Sequence, residues 1–235
     1  ATTMSGNIRE LCDLADSIHE TLGEVGWVKK ILNTANEKVE EYSDCHELAD
    51  IMFQKMGDKE KSKQLFKKAE DKASDCSDLL SLAESIYKNF TDKKWAVNLY
   101  VKAENTAQSS RDFCSLADSL YKNLNDKKWA FALYKKAEKQ AKTSCELRDL
   151  ADDICLDFGD LEWAKDLYTK SEGEAKFFYE FRRLAECLFK NLEDKEWARE
   201  LYKKAVSKAL YTSEFNCLTS SVRKNLKEEI SYILV

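Results

Sequence analysis

Six carboxylates stand 34 residues apart along this chain: Asp16, Asp50, Glu84, Asp118, Asp152 and Glu186. Carboxylates can act as general acids and bases, ligate cations or attract a basic partner, and their setting decides which. Catalysis needs one constellation set apart from its surroundings, and a column repeated six times sets none apart. Three residues beyond each carboxylate lie His19, Phe53, Tyr87, Tyr121, Cys155 and Phe189, and one repeat further Arg223, a column that is mostly aromatic. Four residues beyond come Glu20, Gln54, Lys88, Lys122, Leu156 and Lys190, so Glu84, Asp118 and Glu186 have a lysine at the favourable i,i+4 spacing. Asp16, Asp50 and Asp152 have none. The plain readings are a solvated acidic face and an aromatic column packed into a core. The functional reading is recognition: a negative strip bordered by aromatic anchors, the composition of a binding hot spot.

Other chemistry is thinly supplied. The 8 Cys fall at 12, 45, 76, 114, 145, 155, 187 and 217 with no C-x-x-C pair, and only two His, His19 and His46, could join them as ligands. Free thiols used as small apolar side chains are expected, with no metal and no cofactor. No phosphate-cradling Gly loop, H-E-x-x-H or G-x-S-x-G occurs, so no enzyme is expected. A lysine column (Lys68, Lys102, Lys136, Lys170, Lys204) raises nucleic-acid binding. A net charge of −5 and the neighbouring column Glu70, Glu104, Glu138, Glu172 argue against it, and those lysines read as a solubilising outer surface.

The elements that must position these columns follow from the same period. Trp95, Trp129, Trp163 and Trp197 are 34 residues apart; Trp27 lies two periods before Trp95, with Lys61 between. Leu14, Leu48, Leu82, Leu116, Leu150, Leu184 and Leu218 keep the same register, the first six each followed by Ala. Around them apolar residues recur at helical spacing, as in Phe113, Leu116, Leu120, Leu124 and in Phe181, Leu184, Leu188, Leu192. Each unit therefore opens with one helix, stops at a short polar or Gly-bearing link, and continues in a second helix such as Trp129-Ala130…Leu133-Tyr134…Ala137. Asp58, Asp92, Asp126, Asp160 and Asp194 precede the second helices and read as N-caps rather than as a functional acidic stripe. Asp44-x-x-Glu47 and Thr143-x-x-Glu146 read as capping boxes of first helices. Proline is absent and Gly numbers 6, so no linker interrupts the array. The Trp column is expected to be at least partly buried between units.

A 34-residue helix–turn–helix period resembles the tetratricopeptide repeat, with Phe113, Leu116, Ala117 and Leu120 matching its first helix and Ala130, Tyr134 and Ala137 its second. The likeness covers about residues 8–230; the link between helices is one residue longer than the family pattern and the closing Pro is missing. The expected fold is all-α, a right-handed αα-superhelix (solenoid) of thirteen or so helices. Residues 1–7 are expected to be a disordered or tag-derived leader, and 8–235 one repeat domain of six full units plus a C-terminal cap over Thr212–Val235. The resemblance implies a concave face lined by first helices that receives a partner. The expected function is a non-enzymatic scaffold or adaptor holding a basic or amphipathic protein segment on Asp16, Asp50, Glu84, Asp118, Asp152, Glu186, His19, Phe53, Tyr87, Tyr121 and Phe189. The alternative is a dedicated inhibitor or chaperone masking one target. No nucleic acid, membrane or secretory leader is expected, and the location is expected to be cytoplasmic.

Overall fold

The structure, a computed structural model, describes residues 8–22 and 25–227. Among the described residues there are thirteen α-helices and no strand. The backbone divides into two compact units, one ending at Ala107 and one beginning at Gln108. The first holds α1 (Ile8–Leu22), α2 (Val25–Lys38), α3 (Tyr42–Gln54), α4 (Lys59–Lys72), α5 (Cys76–Phe90) and α6 (Lys93–Thr106). The second holds α7 (Ser110–Ser119), widened into a π-turn over Leu120–Leu124, then α8 (Lys127–Gln140), α9 (Ser144–Asp157), α10 (Leu161–Glu174), α11 (Phe178–Asn191), α12 (Lys195–Lys208) and α13 (Thr212–Leu226). In each unit an odd-numbered helix packs chiefly on the even-numbered helix that follows, and successive odd-numbered helices also pack on one another. The described part of the expected C-terminal cap is α13; residues 228–235, like 1–7, lie outside the described residues.

From α3–α4 onward, the turn inside each pair is set by two neighbouring residues. Gly57, Thr91, Asn125, Gly159, Glu193 and Lys227 all have left-handed backbone, with φ from 52° to 65°. A left-handed residue ends a helix by turning its last amides back onto free carbonyls, and Gly does so without steric cost. After the first five comes the aspartate column, and it caps as expected: Asp58, Asp92, Asp126, Asp160 and Asp194 accept the amides of Lys61, Trp95, Trp129, Trp163 and Trp197 at 2.9–3.1 Å. Thr143 and Glu146 form the expected reciprocal box. Asp44 does not cap: α3 starts at Tyr42 with Glu41 in the cap position, so Asp44 sits within the first turn.

The core follows the periodic residues. Leu48, Leu82, Leu116, Leu150, Leu184 and Leu218 are fully buried, as are Tyr100, Tyr134, Tyr168 and Tyr202 on the second helices. Ala at the intervening positions lets helices approach closely, with Ser62 and Ser171 in equivalent buried places. Ser62 bonds the Ala49 carbonyl at 2.7 Å and Ser171 that of Ser144 at 2.8 Å, so neither hydroxyl is stranded. Two expectations fail at the first pair. Leu14 is 49% exposed and Trp27 65% exposed, because no helix packs on the outward side of α1–α2 among the described residues. The other tryptophans are buried or half-buried.

Candidate functional site

The odd-numbered helices carry the predicted carboxylates, but stacking turns most of them inward. Asp50 on α3 accepts Asn89 at 2.6 Å and Ser85 at 3.3 Å, both from α5. Asp152 on α9 accepts Tyr168 of α10 at 2.5 Å and, from α11, Asn191 at 2.8 Å and the Cys187 thiol at 3.2 Å. Glu186 on α11 pairs with Arg182 and accepts Ser221 of α13 at 2.7 Å. At these three positions the expected exposed strip is thus half-buried, with Asp50 and Asp152 tied to residues 35 and 39 positions on and Glu186 to the residue 35 positions on. Glu84 is the exposed member, and Asp118 is partly so, bridged to Lys122 at 3.3 Å. Of the expected internal pairs only Asp118–Lys122 is present in that form; Glu186 takes Arg182 rather than Lys190. The side chains of Asp16 and His19 lie outside the described residues.

In the aromatic column Phe53, Tyr87, Tyr121, Cys155 and Phe189 are half-buried and Arg223 is exposed. Phe53 packs edge-on to Phe90 at 4.9 Å, and Tyr121 lies 5.7 Å from Phe158 with Lys127 over its ring. Tyr87 is half-buried on α5. Phe189 joins Glu186, Lys190, Lys195, Lys224 and Asn225 around a cavity of about 590 Å³ bounded by α11, α13 and the start of α12. Glu193 lines it as well, so three ammonium groups face two carboxylates, one of them held by Arg182.

Carboxylates also crowd on α9: Asp153 and Asp157 lie close enough to Asp118 of α7 to feel its charge, while Asp152 is bonded to α10 and α11 and Asp149 is paired with Arg148 at 2.6 Å. The Tyr134 hydroxyl of α8 bonds both Asp118 and Asp157, the latter at 2.6 Å. A phenol has one proton to donate, so both contacts hold only when one carboxyl carries a proton of its own. Burial, then the Asp118 charge, push the Asp157 carboxyl up, against the Tyr134 hydrogen bond. Burial followed by the charges of Asp118, Asp157, Asp152 and Asp149 pushes Asp153 up to about 7. Spacing alone does not disclose this cluster, since Asp149, Asp153 and Asp157 lie outside the repeated column; four Asp within nine residues of one helix was the available signal.

The outer lysines are not merely solubilising. Lys102 and Trp95 both donate to Glu70, at 2.5 and 2.7 Å. Lys170 and Trp163 do so to Glu138 at 2.6 and 3.0 Å, and Lys204 and Trp197 to Glu172 at 2.5 and 2.7 Å. Each carboxylate thereby staples one second helix to the next and neutralises one lysine of the neighbouring column.

No group of three or more His, Cys, Asp or Glu among the described residues is placed to hold a metal ion. No described helix is long and apolar enough to cross a membrane. The chain matches no known family model and no curated protein at significant similarity.

Proposed function

We propose that the chain is a non-enzymatic scaffold of tetratricopeptide-like pairs, wound as a right-handed superhelix and working in the cytoplasm, whose first-helix face holds a basic or amphipathic segment of a partner protein. The observation that supports this reading is the crowding of Asp118, Asp149, Asp152, Asp153 and Asp157, dense enough to keep a proton on Asp153 near neutrality. A lysine or arginine laid against that face replaces the proton and relieves the mutual repulsion. The apolar side of the same segment meets Phe189 and Tyr121, both half-buried beside the charged row.

Displacement of a proton makes the reading testable by linkage. A lysine-rich amphipathic helical peptide serves as probe, titrated calorimetrically at pH 6 and pH 8 in buffers of different ionisation enthalpy. Binding should strengthen from pH 6 to pH 8, release protons near pH 7, and weaken as salt rises. Asp153→Asn should abolish the proton release. A peptide that binds equally at both pH values, or not at all, sinks the proposal.

A further inference from the structure

The hydrogen bonds between successive first helices follow a register that one junction breaks. Ser85, Ser119, Cys187 and Ser221 share one 34-residue column, and Asn89, Asn123, Asn191 and Asn225 share another. Of these, Ser85 and Asn89 donate to Asp50, Cys187 and Asn191 to Asp152, and Ser221 to Glu186. Asn191 and Asn225 also donate to the Tyr168 and Tyr202 hydroxyls, each at 2.8 Å. In the same two columns α9 carries Asp153 and Asp157, 35 and 39 positions after Asp118 of α7. Both positions that supply a neutral donor elsewhere are carboxyls here. Next to α11, Asn191 donates to the Tyr168 hydroxyl, which donates to Asp152. The equivalent path runs from Asp157 through the Tyr134 hydroxyl to Asp118, and it closes only when Asp157 carries a proton of its own.

We propose that the contact between α7 and α9 is a proton-operated latch, closed when Asp153 and Asp157 are protonated and stand in for Ser and Asn, and loosened when they ionise against Asp118. The surrounding groups leave that charge unbalanced. From α7, Cys114 stays a neutral thiol, pushed up to about 12 by burial and then by the Asp153 and Asp118 charges. Tyr168 of α10 and Cys187 of α11 are both bonded to Asp152, and Asp149 is paired with Arg148. Lys122 is one exposed ammonium before three carboxyls, 3.3 Å from Asp118 and near enough to Asp157 and Asp153 to feel their charges. It belongs to the π-turn over Leu120–Leu124, the place directly after Asp118 where α7 departs from α geometry, and such widened turns gather at functional positions. Burial and the Asp118 charge push both α9 carboxyls up, Asp153 to about 7, so the latch is closed in mild acid and opens as pH rises through neutrality.

The latch needs no partner, and hydrogen exchange on the full chain without peptide tests it. Protection is read relative to the intrinsic rate at each pH, which removes the pH dependence of exchange itself. A carboxyl that releases its proton on opening makes opening easier by up to about tenfold per pH unit until it ionises in place. Protection of α7 and α9 should therefore fall at least about 10-fold from pH 5 to pH 8, while α11 to α13 hold theirs. Asp153→Ser with Asp157→Asn, the residue types of the same columns in neighbouring units, should keep protection at pH 8 near its pH 5 level. Asp157→Asn alone should recover part of it, which keeps the test decisive if the double variant folds poorly. Equal protection at both pH values, a fall shared by α11 to α13, or a fall that both variants keep overturns the inference. So does protection regained at pH 8 on adding calcium, which would make the three carboxylates a cation site. A pH-dependent fall in a protein that ignores the lysine-rich peptide supports the latch and counts against the peptide reading alone.

Discussion

Asp153 is the residue whose behaviour most clearly separates this molecule from a plain charged solenoid. Its carboxyl is raised by burial and by four neighbouring aspartates to about 7 from an ordinary value of 3.8. The folded chain therefore binds a proton at pH values where the unfolded chain has released it. Stability contributed by this group falls as pH rises from about 4 to about 7 and stays level above, where both states are ionised. Asp153→Asn removes the buried charge while keeping the shape. It should raise the melting temperature most at pH 8, less at pH 5 and hardly at all below pH 4, and flatten the profile between; an equal shift at pH 5 and pH 8 would show that the group titrates normally. Residues of this kind were only partly legible beforehand. The repeated column Asp50, Asp118, Asp152 and Glu186 was visible in the spacing, but its bonding was not. Asn89, Ser85, Asn191, Cys187 and Ser221 reach it from the next first helix, and nothing local to the carboxylate announces a partner 35 or 39 positions away.

Elements were more legible, because each is fixed by local chemistry. The aspartate column predicted the starts of the second helices, and the five caps satisfy amides that a helix N-terminus leaves open. Substituting one, Asp160→Ala, costs about 1 kcal/mol on that account. The left-handed residue before each cap was visible at Gly57 and Gly159 and, by residue type, at Asn125; Thr91 and Glu193 hold the same conformation without a residue type that signals it. A side chain there carries a steric penalty of about 1–2 kcal/mol, offset in part by the freedom Gly gains in the unfolded chain. Glu193→Gly should therefore stabilise the second unit by up to about 1 kcal/mol, and Gly159→Ala should destabilise it by a similar amount, although open space surrounds that Cβ position. Urea midpoints of the two variants check this; matching signs would mean that the backbone tolerates a side chain at these turns. The first pair was misjudged for a different reason. Leu14 and Trp27 keep the repeat's residue types, but no helix among the described residues packs on their outward side, so burial expected from pattern is not delivered by packing.

At the scale of the molecule the question is where uncompensated charge lies. On the second helices Lys102, Lys170 and Lys204 neutralise Glu70, Glu138 and Glu172, yet Lys and Arg still outnumber Asp and Glu there by twelve. The carboxylate excess behind the net −5 therefore sits on the odd-numbered helices and in the links between helices. Charge reversal tests that assignment only at positions without a structural duty. Asp152→Lys is unsuitable: it strands Tyr168, Asn191 and Cys187 and should cost about 2–3 kcal/mol, the range for losing hydrogen bonds to a charged group. Lys204→Glu breaks a staple. Glu84 and Lys68 are both exposed, on a first and a second helix of the same unit, and Glu84→Lys and Lys68→Glu should each change stability by less than about 0.5 kcal/mol. With the lysine-rich peptide as probe, Glu84→Lys should slow association and shallow its salt dependence, while Lys68→Glu should leave both unchanged, because rim charges act on encounter more than on residence. Stopped-flow association rates at two salt concentrations decide it. Slower association in the Lys68 variant alone would move the working surface to the second helices.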